Sequence, residues 1–98
     1  MLDTKIIDEV REILYQFLDP EKDKAFIFGS WAVGNERPFS DIDIGILSKR
    51  SMPRDMLSDL KEAFEESNLP YTVEVVDFST VSEKFKTISL QKVIYLHS

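Results

Sequence analysis

The chain has 98 residues, and 12 Lys and Arg against 18 Asp and Glu give it a formal net charge of −6. This length predicts a single domain over residues 1–98 with one modest core. The acidic balance argues against a domain that binds duplex nucleic acid through its overall field. Because there is no Cys and His97 is the single His, zinc centres and Cys- or His-dependent nucleophilic catalysis are disfavoured. Acid–base or metal chemistry must therefore come from carboxylates.

The acidic charge leaves three kinds of partner open: a cation, a metal-bound nucleotide or a basic protein. No apolar run approaches the roughly 18–20 residues of a membrane-spanning helix. The first 14 residues carry six charged side chains, which leaves no space for the apolar core of a signal peptide. We therefore expect a cytoplasmic protein with no membrane partner.

The first half of the chain predicts a helix, a strand and a turn. Apolar residues recur at helical spacing over residues 4–18, and an Asp-Pro pair follows them. A continuous apolar run at 25–28 predicts a strand buried on both faces. Residues 30–34 are typical of a turn that starts a short helix. Residues 35–40 form a polar loop.

The second half continues the alternation. Residues 41–47 alternate between acidic or small and Ile side chains, which predicts a strand with one apolar face. A second long helix is predicted over 53–67, and a strand rich in β-branched residues over 71–77. Thr80 and Glu83 have the spacing of a capping box and predict the start of a further short helix.

Residues 93–96 complete the pattern as a final short strand. Helices and strands therefore alternate along the whole chain. This order predicts an α/β (α+β) fold, in which helices pack on a small mixed sheet.

The strand at 41–47 carries the most informative pair of residues, Asp41 and Asp43. Side chains two positions apart on a strand share a face and lie about 7 Å apart, and the Ile face must be the core side. Glu74 joins the pair if the strand at 71–77 is its neighbour. Such a cluster favours Mg²⁺ or Mn²⁺, because hard oxygen ligands suit these ions. An Asp-x-Asp pair on a strand is common, however, and often serves only solubility.

The turn at Gly29 and Ser30 directly follows the predicted buried strand. Glycine permits a sharp turn and a close backbone approach to a ligand, and a helix start can receive a phosphate. Taken alone, the pair is equally typical of an ordinary strand-to-helix turn. Ten residues separate Ser30 from Asp41. A phosphate-binding turn then faces a metal-binding pair, which is the layout that a nucleoside triphosphate requires.

The segment FGSWAVGNERPFSDIDIGIL resembles the signature of the DNA polymerase β-like nucleotidyltransferases. More narrowly, nearly the whole chain resembles the minimal nucleotidyltransferases, the MntA-type antitoxins found beside HEPN-domain toxins. The segments TVEVVDF and FKTISLQKVIYL contribute to this resemblance.

The resemblance implies a nucleotidyltransferase core and a mechanism. Asp41 and Asp43 would bind Mg²⁺ with the triphosphate, while Gly29 and Ser30 would hold the terminal phosphates. Glu74 would help to hold a second Mg²⁺ and activate the attacking hydroxyl. ATP, or another nucleoside triphosphate, would be the donor. In the MntA-type subgroup the acceptor is a tyrosine of the HEPN toxin, whose ribonuclease activity the modification silences.

The chain departs from the family pattern at two positions. Trp31 stands where Arg often follows the Gly-Ser turn, and Glu74 stands where the third acid is usually Asp. We expect Trp31 to pack in the core. These departures and the acidic charge keep a second hypothesis open, a catalytically weak or inactive module that neutralises a basic partner by contact. Small-molecule nucleotidylation is a third hypothesis, disfavoured because such enzymes usually carry a further acceptor domain.

Overall fold

A computed structural model of the protein describes residues 3–34, 41–49 and 52–96. The predicted loop at 35–40 lies outside these ranges. The described residues form helices and strands in the predicted order. They are α1 (Thr4–Leu14), β1 (Asp23–Phe28), α2 (Ser30–Val33), β2 (Ile42–Ser48), α3 (Arg54–Glu65), β3 (Val73–Asp77), α4 (Glu83–Ser89) and β4 (Ile94–Tyr95).

The strands form one mixed sheet in the order β3-β2-β1-β4. β2 and β3 are parallel, and α3 connects them as a crossover. β1 is antiparallel to both β2 and β4. The predicted fold class is therefore confirmed. None of the helices within the described ranges has the length and apolar character needed to cross a bilayer.

The main core lies between the sheet and the helices α1 and α3. The side chains of Ile42, Ile44 and Ile46 are completely buried there, as the alternation in β2 predicts. Val10 and Leu14 of α1 and Leu60 and Phe64 of α3 belong to the same cluster. The periodic apolar residues of both long helices therefore form the buried stripe that the sequence predicts.

The opposite face of the sheet carries a second, aromatic core, which corrects the prediction that β2 has only one apolar face. Phe26, Phe28 and Phe78 form this cluster. The ring centroids of Phe26 and Phe78 lie 4.9 Å apart, and those of Phe28 and Phe78 5.1 Å apart. Gly45 is buried beneath the cluster. Because it has no side chain, the rings can pack directly on its backbone. On β2, this face is therefore polar at Asp43 and apolar from Gly45 to Leu47.

Replacing Gly45 by Ala is expected to destabilise the protein by about 1–3 kcal/mol through overpacking. The added Cβ would lie 2.4 Å from Cε2 of Phe26 and 2.6 Å from Cε1 of Phe78. Urea unfolding measures this change. As a matched test, the same substitution in a Phe26→Leu background should cost less, because the Phe26 ring atoms that clash are gone. An equal cost in both backgrounds would contradict the steric explanation.

Two predicted helix boundaries need correction. α1 ends at Leu14, four residues before its predicted end, and a turn then carries Leu18 into the core. The predicted capping box at the start of α4 is wrong. Ser82 is the N-cap and accepts a hydrogen bond from the Phe85 N–H at 3.1 Å. Thr80 instead donates its hydroxyl to the Asp77 carbonyl at 2.9 Å, within the turn that follows β3.

The carboxylate of Asp23 is completely buried, a feature that the sequence pattern did not reveal. One of its oxygens accepts a hydrogen bond from the Asp19 N–H at 2.8 Å. The other accepts a hydrogen bond from the hydroxyl of Ser48. Asp23 and Ser48 are partners in the β1–β2 register. The buried acid therefore fastens the α1–β1 turn to the end of β2.

Candidate functional site

Two of the predicted acids meet at the point where β2 and β3 begin. Asp43 is the register partner of Glu74 across the parallel β2–β3 pair, and of Phe28 across the antiparallel β1–β2 pair. Neighbouring strands lie about 4.8 Å apart, and paired residues share a face. The adjacency of β2 and β3, on which the prediction for Glu74 depended, is therefore present. Asp43 is half-buried, whereas Glu74 is exposed.

The turn at Gly29 lies directly beside Asp43. Gly29 precedes α2 with φ of 76° and ψ of −151°, a conformation that glycine adopts readily and other residues rarely do. A Cβ added to Gly29 would lie 2.5 Å from Oδ2 of Asp43. Both the backbone conformation and this close approach therefore require glycine. Ser30, the first residue of α2, is half-buried at the same end of the sheet.

Asp41 immediately precedes β2 and is exposed. All five predicted site residues thus stand at one end of the sheet, where β1 ends and β2 and β3 begin. Their carboxylates do not converge, however. Within residues 3–34, 41–49 and 52–96, no three Asp, Glu, His or Cys side chains form a group that could hold a metal ion.

The electrostatics at this end of the sheet centre on Asp43. Burial raises the pKa of the Asp43 carboxyl above its ordinary value, and the negative charges of Asp41 and then Glu74 raise it further. Desolvation and repulsion by neighbouring carboxylates both disfavour the ionised form. A divalent cation would relieve this repulsion, and its preferred ligands are carboxylate oxygens. The donor chemistry at this position therefore fits Mg²⁺ or Mn²⁺.

The raised pKa of Asp43 predicts how stability depends on pH in metal-free protein. A carboxyl whose pKa is raised on folding stabilises the fold fully below its unfolded value, here 3.8. That contribution disappears as the pH rises through the folded pKa. Asp43→Asn is neutral throughout and lacks this dependence. We therefore expect Asp43→Asn to become more stable relative to wild type as the pH rises above about 4.

Urea unfolding in EDTA, at a series of pH values from acidic to neutral, measures this difference. Saturating Mg²⁺ should reduce it, since the cation stabilises ionised Asp43. Parallel stability curves for the two proteins would contradict the assignment of the repulsion to Asp43.

Trp31 also lies where the sequence predicts. Trp31 is buried in the main core, and its ring centroid lies 5.3 Å from that of Tyr71 in an edge contact. Its role in packing is therefore confirmed. Asp77, the last residue of β3, takes part in the turn that follows. Its Oδ1 accepts hydrogen bonds from the N–H of Ser79 at 2.9 Å and from the Ser79 hydroxyl at 2.7 Å.

Sequence reasoning missed the surroundings of Asp43. The aromatic core lies on the same face as Asp43, and α4 packs on it through Phe85. Val81, Phe85 and Ile88 recur at helical spacing in the sequence. Yet Phe85 is 43% exposed and Ile88 is 58% exposed. Nothing in the sequence pattern distinguishes these exposed positions from core positions.

One known protein is similar to this chain in sequence. A protein of Haemophilus influenzae named "Probable protein adenylyltransferase MntA" is 44% identical over 63 residues, which cover 62% of this chain. The match spans 54% of that relative, so the chain covers about half its length.

Solved structures share the fold. A crystal structure of a toxin–antitoxin with AMP-PNP has a TM-score of 0.74 at 21% identity, covering 92% of this chain and 71% of the other. A complex of a tri-AMPylated Shewanella oneidensis HEPN toxin with its MNT antitoxin has a TM-score of 0.71 at 18% identity. That match covers 97% of this chain and 71% of the other.

A family model also matches most of the chain. The model for polymerase beta, nucleotidyltransferase, matches residues 8–98, which include all five predicted site residues. The alternation of elements and the mixed sheet accord with that match. The chain therefore belongs to the polymerase beta nucleotidyltransferase family.

Proposed function

We propose that this protein transfers AMP from ATP to a tyrosine hydroxyl of a HEPN toxin and thereby acts as its antitoxin. The observation that carries the proposal is the position of Asp43, which lies against Gly29 on one side and beside Glu74 on the other. The resemblance to the Haemophilus protein adenylyltransferase supports the choice of reaction. The reaction needs ATP, and we expect it to take place in the cytoplasm.

The carboxylates of Asp41, Asp43 and Glu74 are the groups that would hold Mg²⁺, with Mn²⁺ as a substitute. Two such ions, when bound, supply charge that stabilises the attacking and leaving oxygens of an in-line displacement. Half-buried Asp43 is the fixed member of the set. The side chains of Asp41 and Glu74 are exposed and can turn toward it. The repulsion among these acids supports a cation as their natural partner.

Gly29 and Ser30 would receive the terminal phosphates of ATP. Because Gly29 has no side chain, a phosphate can approach its backbone closely while remaining beside Asp43. The Ser30 hydroxyl can donate a hydrogen bond to a phosphate oxygen. These contacts would orient the α-phosphate toward the acceptor.

The proposed transfer of AMP is balanced without any further reactant. The tyrosine oxygen forms a bond to the α-phosphorus, and the bond from that phosphorus to the bridging oxygen breaks. Pyrophosphate leaves with the electron pair. The hydroxyl proton passes to Glu74, whose exposure allows it to release the proton to water.

The test is transfer of label from ATP radioactive at its α-phosphate to a purified HEPN toxin. Labelled toxin is expected with Mg²⁺ and not with EDTA, and a toxin with its acceptor tyrosine changed to Phe should remain unlabelled. Absence of label from every toxin that binds the protein tightly would overturn the proposal.

A second candidate function is neutralisation by contact alone. The lack of convergence among the carboxylates favours it, as does the replacement of the usual third Asp by Glu74. The net charge of −6 suits a basic partner. Toxin inhibition that persists without ATP and in Asp41→Asn and Asp43→Asn variants would support this function.

A further inference from the structure

The outer edge of β3 carries unpaired backbone groups. β3 is the end strand of the sheet, and β2 is its neighbour on the other side. The Thr72 carbonyl accepts a hydrogen bond from the Ile42 N–H at 2.9 Å, so it points toward β2. Because successive backbone groups of a strand alternate in direction, those of Val73 and Val75 point away from β2. Within the part of the chain that the structure describes, no hydrogen bond engages them.

Two grooves follow this edge beside α3. One has a volume of about 350 Å³ and lies where α3 ends and β3 begins, with Glu65 in its wall. The other has a volume of about 500 Å³ and lies where α3 begins and β3 ends, with Leu57 in its wall. Both are lined by Lys61, Glu74 and Val75. The two therefore form one channel, here called the β3 groove.

An open strand edge beside such a groove suits an extended segment of another chain. In recognition by strand addition, main-chain hydrogen bonds to the edge supply affinity, and pockets for alternate side chains supply specificity. Alternate side chains of an extended segment lie about 7 Å apart on one face. The edge at Val73 and Val75 offers the hydrogen bonds, and the two halves of the β3 groove offer the pockets.

The edge adjoins the candidate site through Glu74. Glu74 is exposed and is the register partner of Asp43. Because neighbouring strands lie about 4.8 Å apart, a residue opposite Glu74 on an added strand would share its face, about 10 Å from the backbone of Asp43. Among hydroxyl side chains, tyrosine is the longest and best able to reach Asp43 from there.

We infer that the outer edge of β3 binds the acceptor segment of the toxin as an added antiparallel strand, with the acceptor tyrosine opposite Glu74. This inference rests on the proposed function. Antiparallel addition is favoured because parallel pairing is slightly less stable per residue. The residues on either side of the tyrosine would then bond to Val73 and Val75, whose outward N–H and C=O groups are open.

The charges in the β3 groove specify the chemistry of the segment. The residue that pairs with Val73 would point to the opposite face from the tyrosine, toward α3. Glu65 is exposed in that half of the groove, so a basic side chain is complementary there. The net charge of −6 also favours a basic partner. Lys61 lines both halves, and an acidic side chain suits the residue that pairs with Val75.

A second copy of this chain fits the same edge less well. Antiparallel pairing that joins Val73 of each copy to Val75 of the other would place the two copies of Glu74 directly opposite each other. Like charges at directly opposite positions destabilise a strand pair. Two copies also carry the same net charge of −6, and its repulsion opposes their association.

Val73→Pro tests the edge, since proline lacks the N–H that the added strand would use. The substitution removes no hydrogen bond to β2, and proline is tolerated at the first residue of a strand. The measurement is transfer from ATP labelled at its α-phosphate, over a range of concentrations of purified HEPN toxin. We expect kcat/KM for the toxin to fall about tenfold, while the calorimetric affinity for ATP in Mg²⁺ changes less than about twofold. Val73→Ala keeps the N–H and should lose less than about threefold.

Glu65→Lys is an independent variant that keeps the inference testable if Val73→Pro does not fold. It reverses an exposed charge in the groove and should raise KM for the toxin about fivefold at low salt, with a smaller increase at high salt. Glu62→Lys is the matched control. Glu62 is also exposed on α3 but does not line the groove, so its reversal should leave KM unchanged.

The outcomes separate this inference from the proposed function. Labelling of the toxin with wild-type kcat/KM by both Val73→Pro and Glu65→Lys would overturn strand addition and leave the proposed function standing. An equal rise in KM for Glu65→Lys and Glu62→Lys would also overturn it, and so would a dimer of the full chain that Val73→Pro abolishes. If wild type labels no toxin, the proposed function and this inference both fail.

Discussion

Replacing Asp43 by Asn is expected to lower AMP transfer by at least about a hundredfold. Changing a residue that only orients a metal ligand lowers metal affinity or activity about 10–100-fold. We place Asp43 among the ligands themselves, so its replacement should have a larger effect. Asn keeps the size of the side chain and its position against Gly29. It removes the negative charge that would hold Mg²⁺ beside the triphosphate. The measurement is the initial rate of α-phosphate transfer to the toxin at saturating ATP.

Asp77→Asn is the matched control for this variant. Asp77 lies at the far end of β3, opposite Ile46, and its carboxylate is engaged by Ser79. Its replacement should change the transfer rate less than about twofold, as expected of a substitution away from the reacting groups. Since Asp43→Asn also relieves repulsion, it should be at least as stable as wild type in EDTA. Unimpaired transfer by Asp43→Asn would favour neutralisation by contact.

Replacing Asp23 by Ala is expected to destabilise the protein by about 3–6 kcal/mol, since each of two hydrogen bonds to a charged group contributes about 1.5–3 kcal/mol. The carboxylate of Asp23 accepts from the Asp19 N–H and from the Ser48 hydroxyl while completely buried. Alanine would leave both donors without this acceptor. The loss is a large part of the stability of a small domain, about 5–15 kcal/mol. Urea unfolding at neutral pH measures it.

Two variants make this prediction specific. Ser48→Ala removes one of the two donors and should cost less than Asp23→Ala, about 1.5–3 kcal/mol. Asp59→Ala removes the same charge from an exposed position in α3 and should stay within about 0.5 kcal/mol of wild type. If Asp23→Ala and Asp59→Ala unfold at the same urea concentration, Asp23 does not fasten the α1–β1 turn as described.

The sequence predicts the elements because local periodicity reflects burial. Ile42, Ile44 and Ile46 alternate in a strand, and all three are completely buried. The ends of elements are harder to predict, since neighbouring polar residues compete for the same role. Thr80 and Ser82 are both suitable N-caps. Only the turn after β3, which engages the Thr80 hydroxyl with the Asp77 carbonyl, leaves Ser82 to start α4.

The local sequence pattern predicts only part of how the candidate site residues come together. The strand period places Asp41 and Asp43 on one face, and the spacing from Gly29 indicates a nucleotide site. Glu74 lies about thirty positions after Asp43. Its place beside Asp43 depends on the parallel pairing of β2 and β3. No local periodicity specifies which strands become neighbours, because that depends on how the crossover helix packs.

By itself, the sequence determined the fold class, the main core and the residue types able to bind a metal–triphosphate complex, because hydrophobic period and local spacing act within one element. Only the tertiary structure decided which side chains meet across elements. It buried Asp23 beside Ser48, brought Gly29 against Asp43, and left Phe85 exposed in a cleft at the same turn. These contacts arise from strand register and helix packing, which join residues far apart in the chain.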